Sequence, residues 1–595
     1  MKQFLMTVAG VFVGLVLFLV GVPFLLIVMA ASATRPAPVP AHTVLQLDLR
    51  GGLSDQESQS PFAAFGGGGG QSVMSIIQTL RRAETDDKVQ AVLVRLPEGG
   101  MAPASADELR LAFKHFRAVG KKPIIAHSQG LYPSGLVTST YMLGAAASEF
   151  WMQPDSALQA VGAASEEMFF KRFFDKYGVK AEYEQRYEYK NAVNPYLYSD
   201  YTPAHRESTL SWMGSVYNSA LTTAAQDRKV DPAALIKTIE AGPYSAEEAQ
   251  AKGLIDKVGQ VKDVQDAMLG RAGKGAKLLD FDDYASRAKR TPPKTGPTIA
   301  VVSAEGAIMT GSGEGGSPFG GDSTIYSDQV AKALYDAIDD KDVKAIVFRV
   351  SSPGGSDTAS EQILAAVKAA RKAGKPIVVS MGTYAASGGY WISSGASAIV
   401  AEPTTLTGSI GVFGGKFALG DALARFGVDT RQVHVGSDYA GAFGTGEGFT
   451  PDQRAKFSAW MDRIYGGFVN RVAEGRKLPP ERVREIAKGR VWTGVQAKQL
   501  GLVDELGGFY EAVDKAKSLA GIKGEVKFKK FGGSSSPFEA LEKALGVSSA
   551  SLRTMAASAW LLGDPRSQSI MDEMAKARLR ATPGGASVMA DTPIH

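Results

Sequence analysis

Ser387 stands in the surroundings that are best suited to covalent chemistry. It lies in the run 384–391, Tyr-Ala-Ala-Ser-Gly-Gly-Tyr-Trp, after one predicted strand and at the start of a predicted helix. Small neighbours leave room for an acyl group, and acyl-transfer enzymes often place an oxyanion donor at the N–H that follows the nucleophile, here Gly388. The pattern predicts a serine nucleophile.

A glycine pair, Gly354 and Gly355, follows another predicted strand, which ends at Val350. Without side chains in the way, backbone N–H groups can approach a ligand closely and hold an oxyanion. Taken alone, the pair would more often be a plain Pro-Gly turn. Next to the serine motif, it predicts an oxyanion hole formed by Gly354 or Gly355 together with Gly388.

A serine hydroxyl needs a base, and none of the six histidines sits in a motif near these glycines. His434 lies in a β-like run at 432–435, where a histidine is more often a core or solvated residue. A Ser-His-Asp triad is therefore disfavoured and a Ser-Lys pair is the main candidate. The absence of cysteine excludes a thiol nucleophile, a disulfide framework and a thiolate metal site. We predict no metal and no cofactor.

The elements that must position these residues form an internal repeat. The run 89–95 matches 343–349, and each is followed by a glycine pair; the register continues in three further matches, 122–125 with 375–378, 177–179 with 426–428, and 253–256 with 501–504. Two homologous domains are predicted, 44–284 and 299–525, joined by a linker at 285–298. We assign no role to the tail, 526–595.

Helical patterns alternate with short β-branched runs, such as 345–350 and 377–380, which predicts βαβ units and a largely parallel sheet. A length of 595 residues also favours several domains. The net charge of +5, from 66 cations and 61 anions, is too balanced to indicate nucleic-acid binding.

The N-terminus carries a long apolar segment, residues 4–31. Roughly 20 apolar residues span a bilayer, whereas the apolar region of a signal peptide has about 7–15. An uncleaved transmembrane anchor is therefore predicted. Lys2 and Arg35 flank the segment and give a weak bias for a cytoplasmic N-terminus, with the body outside the cytoplasm.

Three motifs in order carry a resemblance to a known family: 352–355 (Ser-Pro-Gly-Gly), 385–391, and 407–411 (Thr-Gly-Ser-Ile-Gly). They resemble the long, two-repeat form of the signal peptide peptidase A family. These are membrane-anchored bacterial serine proteases whose fold is related to the Clp protease subunit and to crotonases. The resemblance implies an α/β protein with two such repeats in tandem after a transmembrane helix.

The resemblance also assigns residues. Ser387 would be the nucleophile, Lys190 the general base, and Ser409 a serine that hydrogen-bonds the lysine. The family's lysine motif often reads Lys-Ser-Ala-Val-Glu-Pro, whereas this chain has Asn191 and Asn194.

The same resemblance implies where the protein works and on what. Its substrates would be signal-peptide remnants and other unfolded apolar peptides. The protein would cross the bacterial inner membrane once, with its catalytic body on the periplasmic side, and would assemble as a homotetramer.

The repeat provides an independent check on the site. A constant offset of 249 residues pairs Ser387 with Thr138 and Lys190 with Tyr439. It also pairs Ser409 with Ala160. The first repeat therefore has the lysine but no matching serine, and the second has the serine but no matching lysine. This division predicts one composite site between the repeats.

The base must be neutral, because an ammonium has no lone pair with which to take a proton. A free lysine titrates near ~10.4, so burial among apolar groups must lower its pKa. Two alternatives remain: a crotonase-like acyl-CoA enzyme that uses the same glycine oxyanion hole, and an inactive membrane scaffold that binds peptides in the same groove.

Overall fold

A computed structural model describes residues 38–56, 71–287, 296–313 and 323–532, together with the backbone of 587–589. The predicted anchor at 4–31, most of the predicted linker and most of the tail lie outside these residues. Within the described ranges, no helix combines the length and the apolar character that crossing a bilayer requires.

The first repeat is built on a parallel sheet of six strands in the order β8-β4-β3-β2-β1-β9. Its strands are β1 Thr43–Asp48, β2 Val89–Arg95, β3 Ile124–Ser128, β4 Glu149–Met152, β5 Ala157–Leu158, β6 Lys180–Arg186, β7 Tyr244–Ser245, β8 Lys257–Val258 and β9 Lys277–Asp280. Its helices are α1 Val73–Ala83, α2 Pro103–Gly120, α3 Val137–Ala145, α4 Lys171–Tyr177, α5 Asn194–Leu197, α6 Pro203–Arg228, α7 Pro232–Glu240, α8 Ala246–Ala251, α9 Val261–Ala272 and α10 Phe281–Arg287.

The second repeat has the same plan, with parallel strands in the order β20-β16-β15-β13-β10-β21. Its strands are β10 Thr298–Glu305, β11 Ala307–Met309, β12 Thr324–Tyr326, β13 Val343–Ser352, β14 Gly354–Ser356, β15 Ile377–Ala386, β16 Ala398–Ala401, β17 Leu406–Gly408, β18 Val412–Ala418, β19 Val491–Thr493, β20 Glu505–Leu506 and β21 Lys527–Phe531. Its helices are α11 Ser327–Asp339, α12 Asp357–Lys372, α13 Gly388–Ser394, α14 Gly420–Ala424, α15 Pro451–Arg476, α16 Pro480–Ile486, α17 Gly494–Gln499 and α18 Phe509–Leu519.

The matching strand orders confirm the α/β class and the two tandem repeats. The strands read as near-continuous apolar runs because helices cover the sheets; in β13, for example, every residue except Lys344 is buried. The last strand, β21, lies beyond residue 525, where we placed the end of the second repeat. The relation to the Clp protease subunit and to crotonases stays an expectation from the resemblance.

A further sheet joins the two repeats, in the order β12-β11-β14-β22-β18-β6. Strand β6 comes from the first repeat and pairs antiparallel with β18 of the second over its full length, from Lys180 opposite Ala418 to Arg186 opposite Val412. Strand β22, Ser587–Met589, lies between β14 and β18. The site described below is assembled on this shared sheet.

Buried charges also tie the repeats together. Arg349 of β13 lies 2.5 Å from a carboxylate oxygen of Asp55 and 2.8 Å from one of Glu108, and all three side chains are buried. One buried apolar cluster contains residues of both repeats as well. Because breaking a buried ion pair by removing one partner typically costs about 3–5 kcal/mol, this contact resists separation of the two halves.

Candidate active site

Ser387 lies at a sharp turn where β15 ends and α13 begins. Its backbone has φ 56° and ψ −117°, a left-handed region that a residue with a Cβ rarely adopts. The turn is held by the Ser387 N–H, which donates to the Gly408 carbonyl at 2.8 Å. A strained strand-to-helix turn that carries a serine is the geometry of a nucleophile elbow.

The glycines around this turn allow three backbone segments, those at Ile308, Gly355 and Gly388, to lie in close contact. A Cβ on Gly388 would lie 3.0 Å from the Gly355 nitrogen, and a Cβ on Gly355 would lie 2.1 Å from the Ile308 carbonyl oxygen. The Gly354 N–H already donates to Ser352 Oγ at 3.1 Å. Gly388 is the first residue of its helix, so the helix supplies no acceptor for its N–H. With the Gly354 N–H engaged, Gly355 and Gly388 are the two remaining candidates among the three predicted oxyanion donors.

Lys190 reaches the serine from the other repeat. The β6–β18 ladder ends at Arg186, and Lys190 follows four residues later. Its Nζ lies 2.7 Å from Ser387 Oγ, 3.0 Å from Ser409 Oγ and 3.1 Å from the Ser409 carbonyl oxygen. The structure thus brings together the three side chains that the sequence singled out.

The surroundings of Lys190 favour a neutral amine. The side chain is 1% exposed. Among the described residues, no carboxylate lies within ion-pair distance of its Nζ, so nothing offsets the cost of burying a charge. Burial lowers the pKa of Lys190 well below its ordinary value.

Ser409, like Ser387, has a positive φ and a backbone hydrogen bond that fixes its position. It follows β17 with φ 48°, again in the left-handed region, and its N–H donates to the Arg490 carbonyl at 2.7 Å. The loop that contains Gly489 packs closely against Lys190, since a Cβ at Gly489 would lie 2.5 Å from Lys190 Cβ. These contacts leave the lysine side chain little freedom to move.

The repeat counterparts of these residues form no second site in the described part of the chain. Thr138 is buried in α3 and its hydroxyl has no hydrogen-bond partner there. Tyr439 lies in a short 3₁₀-helix, Asp438–Gly441, packed against the core of the second repeat. Ala160 is buried and has no functional group.

The alternative base, His434, is not hydrogen-bonded to Ser387 in the described part of the chain. The run 432–435 is not a strand, and His434 is exposed, whereas Ser387 is fully buried. Our prediction of a β-like run there is wrong, because no strand that the structure describes pairs with residues 432–435.

Sequence reasoning missed the β6–β18 pairing that delivers Lys190 to the site. It also missed an acidic cluster outside the site, beside the Arg349 ion pairs at the contact between the repeats. Glu402 is buried with no hydrogen-bond partner for either oxygen among the described residues. Burial, with Glu108 and Asp107 adding to the effect, raises the pKa of Glu402 well above its usual value.

The geometry agrees with comparisons to known proteins. A family model described as peptidase family S49 matches residues 117–274 and 369–523, one region in each repeat. Protease 4 of Salmonella typhi is 37% identical over 466 residues, which cover 76% of this chain and 72% of that protein. The chain belongs to peptidase family S49. It is therefore a serine protease, and its substrates are peptides.

Two more relatives align with most of the chain. Protease 4 of Haemophilus influenzae is 31% identical over 86% of this chain and 83% of its own length. The chloroplastic serine protease SPPA of Arabidopsis thaliana is 28% identical over 81% of this chain and 69% of its own length. These alignments span both repeats, as expected if the two halves work as one unit.

Proposed function

We propose that the protein is a membrane-anchored serine endopeptidase with a Ser387–Lys190 dyad, and that it degrades signal-peptide remnants and other unfolded apolar peptides. The observation that carries the dyad is the 2.7 Å separation of Lys190 Nζ and Ser387 Oγ, in a site where the lysine is buried without an acidic partner. Each residue comes from a different repeat, in agreement with the complementary losses at Thr138 and Tyr439.

A neutral Lys190 satisfies all three of its contacts at once. The amine has two N–H groups and one lone pair. The N–H groups donate to the carbonyl and hydroxyl oxygens of Ser409, which leaves the lone pair directed at Ser387. The Ser387 O–H then donates to Nζ, which is the arrangement that general-base catalysis needs.

The reaction follows from this arrangement. Ser387 Oγ attacks the peptide carbonyl carbon while its proton moves to Lys190 Nζ, and the N–H groups of Gly355 and Gly388 stabilise the negative oxygen that forms. The protonated lysine then gives the proton to the leaving amine as the C–N bond breaks, which produces an acyl-enzyme. Water attacks the carbonyl carbon of this ester and gives a proton to Lys190. The bond between that carbon and Ser387 Oγ then breaks, the acid product leaves, and Lys190 returns the proton to Oγ.

The shared sheet supplies a slot for an extended peptide. Strand β22 fills the space between β14 and β18, and it runs antiparallel to β14 with Val588 opposite Gly355. A peptide backbone in the same place would gain main-chain hydrogen bonds with little dependence on its sequence. This mode of binding suits unfolded segments, because a folded protein has no free strand to insert.

The proposals on location rest on the sequence. The apolar segment 4–31 is long enough to hold the protein in the bacterial inner membrane, where signal-peptide remnants are released. The charge bias at Lys2 and Arg35 favours a periplasmic body. Assembly as a homotetramer is proposed from the resemblance.

Labelling with a serine-directed fluorophosphonate tests the dyad. The wild type should be labelled and should hydrolyse an apolar peptide, whereas Ser387→Ala should do neither. Ser394→Ala is the matched control: its hydroxyl is also buried, in the helix that begins directly after Ser387, and donates to the Trp391 carbonyl. Labelling that persists in Ser387→Ala would reject the assignment. A peptide that binds but is never cut would favour the inactive scaffold.

A further inference from the structure

The Arg490 side chain lies between two aromatic rings close to Lys190. Its guanidinium carbon is 4.9 Å from the ring centroid of Tyr189 and 4.4 Å from that of Trp492. Tyr189 comes directly before Lys190 in the chain. A guanidinium stacks well on aromatic faces, and the attraction is stronger where water is excluded. Arg490 therefore packs against the segment that carries the lysine.

The main chain of the same residue holds Ser409. The Arg490 carbonyl accepts the Ser409 N–H at 2.7 Å, and Ser409 in turn provides two of the three contacts of Lys190 Nζ. The fit is close, since a Cβ at Gly408 would lie 3.2 Å from the Arg490 carbonyl oxygen. A displacement of Arg490 would therefore move a hydrogen-bond partner of the lysine as well as the segment before it.

Glu207 of α6 fixes the far end of the Arg490 side chain. Nη1 and Nη2 of the guanidinium donate to the two carboxylate oxygens of Glu207, each at 2.7 Å. This parallel, bidentate pairing is the strongest arrangement of an arginine with a carboxylate. Glu207 belongs to the first repeat and Arg490 to the second, so the ion pair ties α6 to the loop 488–490 across the contact between the repeats.

The ladder that delivers Lys190 stops short of it. The β6–β18 pairing ends at Arg186, four residues before the lysine. Within this gap the Tyr189 N–H donates to the Lys488 carbonyl at 3.2 Å. Lys488 also forms an ion pair with Glu188, but the two side chains are 43% and 46% exposed, and such pairs contribute little. The stack of Arg490 on Tyr189 supports the segment just where the ladder no longer does.

The repeat shows that this ion pair accompanies the composite site. Helix α6 begins at residue 203 and its counterpart α15 at residue 451, so the offset in this part of the chain is 248 residues. The counterpart of Arg490 is Gly242, and that of Glu207 is Ala455. Both charges are therefore absent from the equivalent place, where the repeat counterparts form no site.

We propose that Arg490, tied to Glu207, is a positioning residue for the general base. Its side chain holds the segment before Lys190, and its carbonyl holds Ser409. Arg490 acts through these two neighbours and transfers no proton itself, because a guanidinium stays protonated. The inference rests on the proposed dyad and adds to it a residue that keeps the lysine in place.

Arg490→Met in the full-length protein tests this role. Methionine keeps an apolar stem but cannot pair with Glu207 or present a planar cation to the two rings. We expect kcat to fall by about tenfold to hundredfold, the range that a small misplacement of a reacting group produces. KM for an apolar peptide should change little, because the slot that binds the peptide is not altered. Arg490→Lys should recover part of the loss, since it keeps the charge but not the bidentate pairing.

The pH profile separates positioning from a structural role. A looser segment admits water to Lys190, which raises the pKa of the amine toward its ordinary value. The rising limb of kcat/KM should therefore move to higher pH in Arg490→Met. Loss of folded protein alone would lower the rate by the same factor at every pH and leave the limb where it is.

Glu207→Gln provides a second variant that should fold, because its side chain is 50% exposed. A glutamine cannot accept from both guanidinium nitrogens, so the limb should move in the same direction by a smaller amount. In an Arg490→Met background, Glu207→Gln should have no further effect, because the two residues act as one unit. If circular dichroism shows that Arg490→Met is unfolded, the profile of Glu207→Gln decides.

Lys488→Met is the matched control, because it removes the exposed ion pair with Glu188 on the same two segments. It should keep the kcat and the pH profile of the wild type. A positioning role is wrong if the limb stays in place in Arg490→Met and Glu207→Gln, or if Lys488→Met moves it as far. A wild type whose profile is flat would instead reject the dyad itself, and this inference with it.

Discussion

Lys190 Nζ and Ser387 Oγ lie 2.7 Å apart although 197 residues separate them in the sequence. The lysine is placed by the β6–β18 ladder and by the loop at Gly489, and the serine by the turn between β15 and α13. The distance therefore depends on how the two repeats pack against each other as well as on the residues themselves.

Lys190→Met should fold and lose activity. Methionine keeps an apolar side chain of similar length but has no amine, so kcat should fall by about 10²–10⁴-fold, the range for a positioned proton transfer. Lys190→Arg should fail as well, because a guanidinium stays protonated. Hydrolysis of a quenched apolar peptide measures the loss, and circular dichroism checks the fold. Robust activity in Lys190→Met would mean that another group serves as the base.

The rate should rise with pH. Burial lowers the pKa of Lys190 well below its ordinary value, and only the neutral amine can accept the serine proton. Below that pKa, kcat/KM should increase about tenfold per pH unit, and above it the profile should level off. The measurement is kcat/KM from about pH 5 to about pH 9, with circular dichroism at each pH to confirm the fold. A flat profile across this range would argue against a titrating lysine.

Gly355→Ala should damage the oxyanion hole. The added Cβ would lie 2.1 Å from the Ile308 carbonyl oxygen, so the backbone at Gly355 must shift and its N–H must move with it. Loss of one oxyanion donor costs about 10²–10³-fold in kcat. Gly374→Ala is the control, because Gly374 has positive φ but open space around it, and it should lose some stability while keeping its activity. Equal activity of the two variants would remove Gly355 from the mechanism.

Glu402→Gln should change how stability depends on pH. The folded chain keeps the Glu402 proton at pH values where the unfolded chain, with a pKa near 4.5, has released it. Stability from this group is therefore greatest at low pH and is lost as pH rises from the unfolded pKa toward the raised one, by about 1.4 kcal/mol for each pH unit. Glutamine does not titrate, so the variant should gain stability relative to the wild type as pH increases.

Urea unfolding at several pH values measures the effect of Glu402→Gln. Glu485→Gln serves as the control, because its side chain is 65% exposed. A parallel pH dependence in the wild type and in Glu402→Gln would show that Glu402 is ionised in the folded protein.

Residues 4–31 should retain the protein in the membrane. The full-length chain should stay in the membrane fraction through high-salt and alkaline washing, because a spanning segment is held by apolar burial rather than by charge. A variant that begins at residue 38 should be released by the same wash. Release of the full-length chain would reject the anchor.

The sequence was sufficient where function depends on local pattern. Two local patterns predicted the turns that follow two of the strands: the small residues around Ser387 and the glycine pair at 354–355. The repeated strand-like runs predicted the parallel sheets. Lys190 was found through the resemblance and through the losses in the other repeat, because nothing in its neighbourhood marks it as buried.

Features that depend on distant partners could not be predicted in this way. Asp55, Arg349 and Glu402 look like ordinary surface charges until the two repeats meet. Strand β21 was missed because three of its five residues are lysines, a composition typical of a sheet edge. The run 432–435 has the alternation of a strand, but no strand among the described residues pairs with it, and alternation alone does not supply a partner.

The division of the site has a consequence for synthesis. The ribosome makes the first repeat before the second, and domains generally fold in that order. When residue 280 completes the first sheet, the chain already contains Lys190 but no Ser387. Strand β6, which aims the lysine, still lacks β18. The nascent chain thus carries no complete site until most of the second repeat has been made, and before then it cannot cleave its own emerging segments.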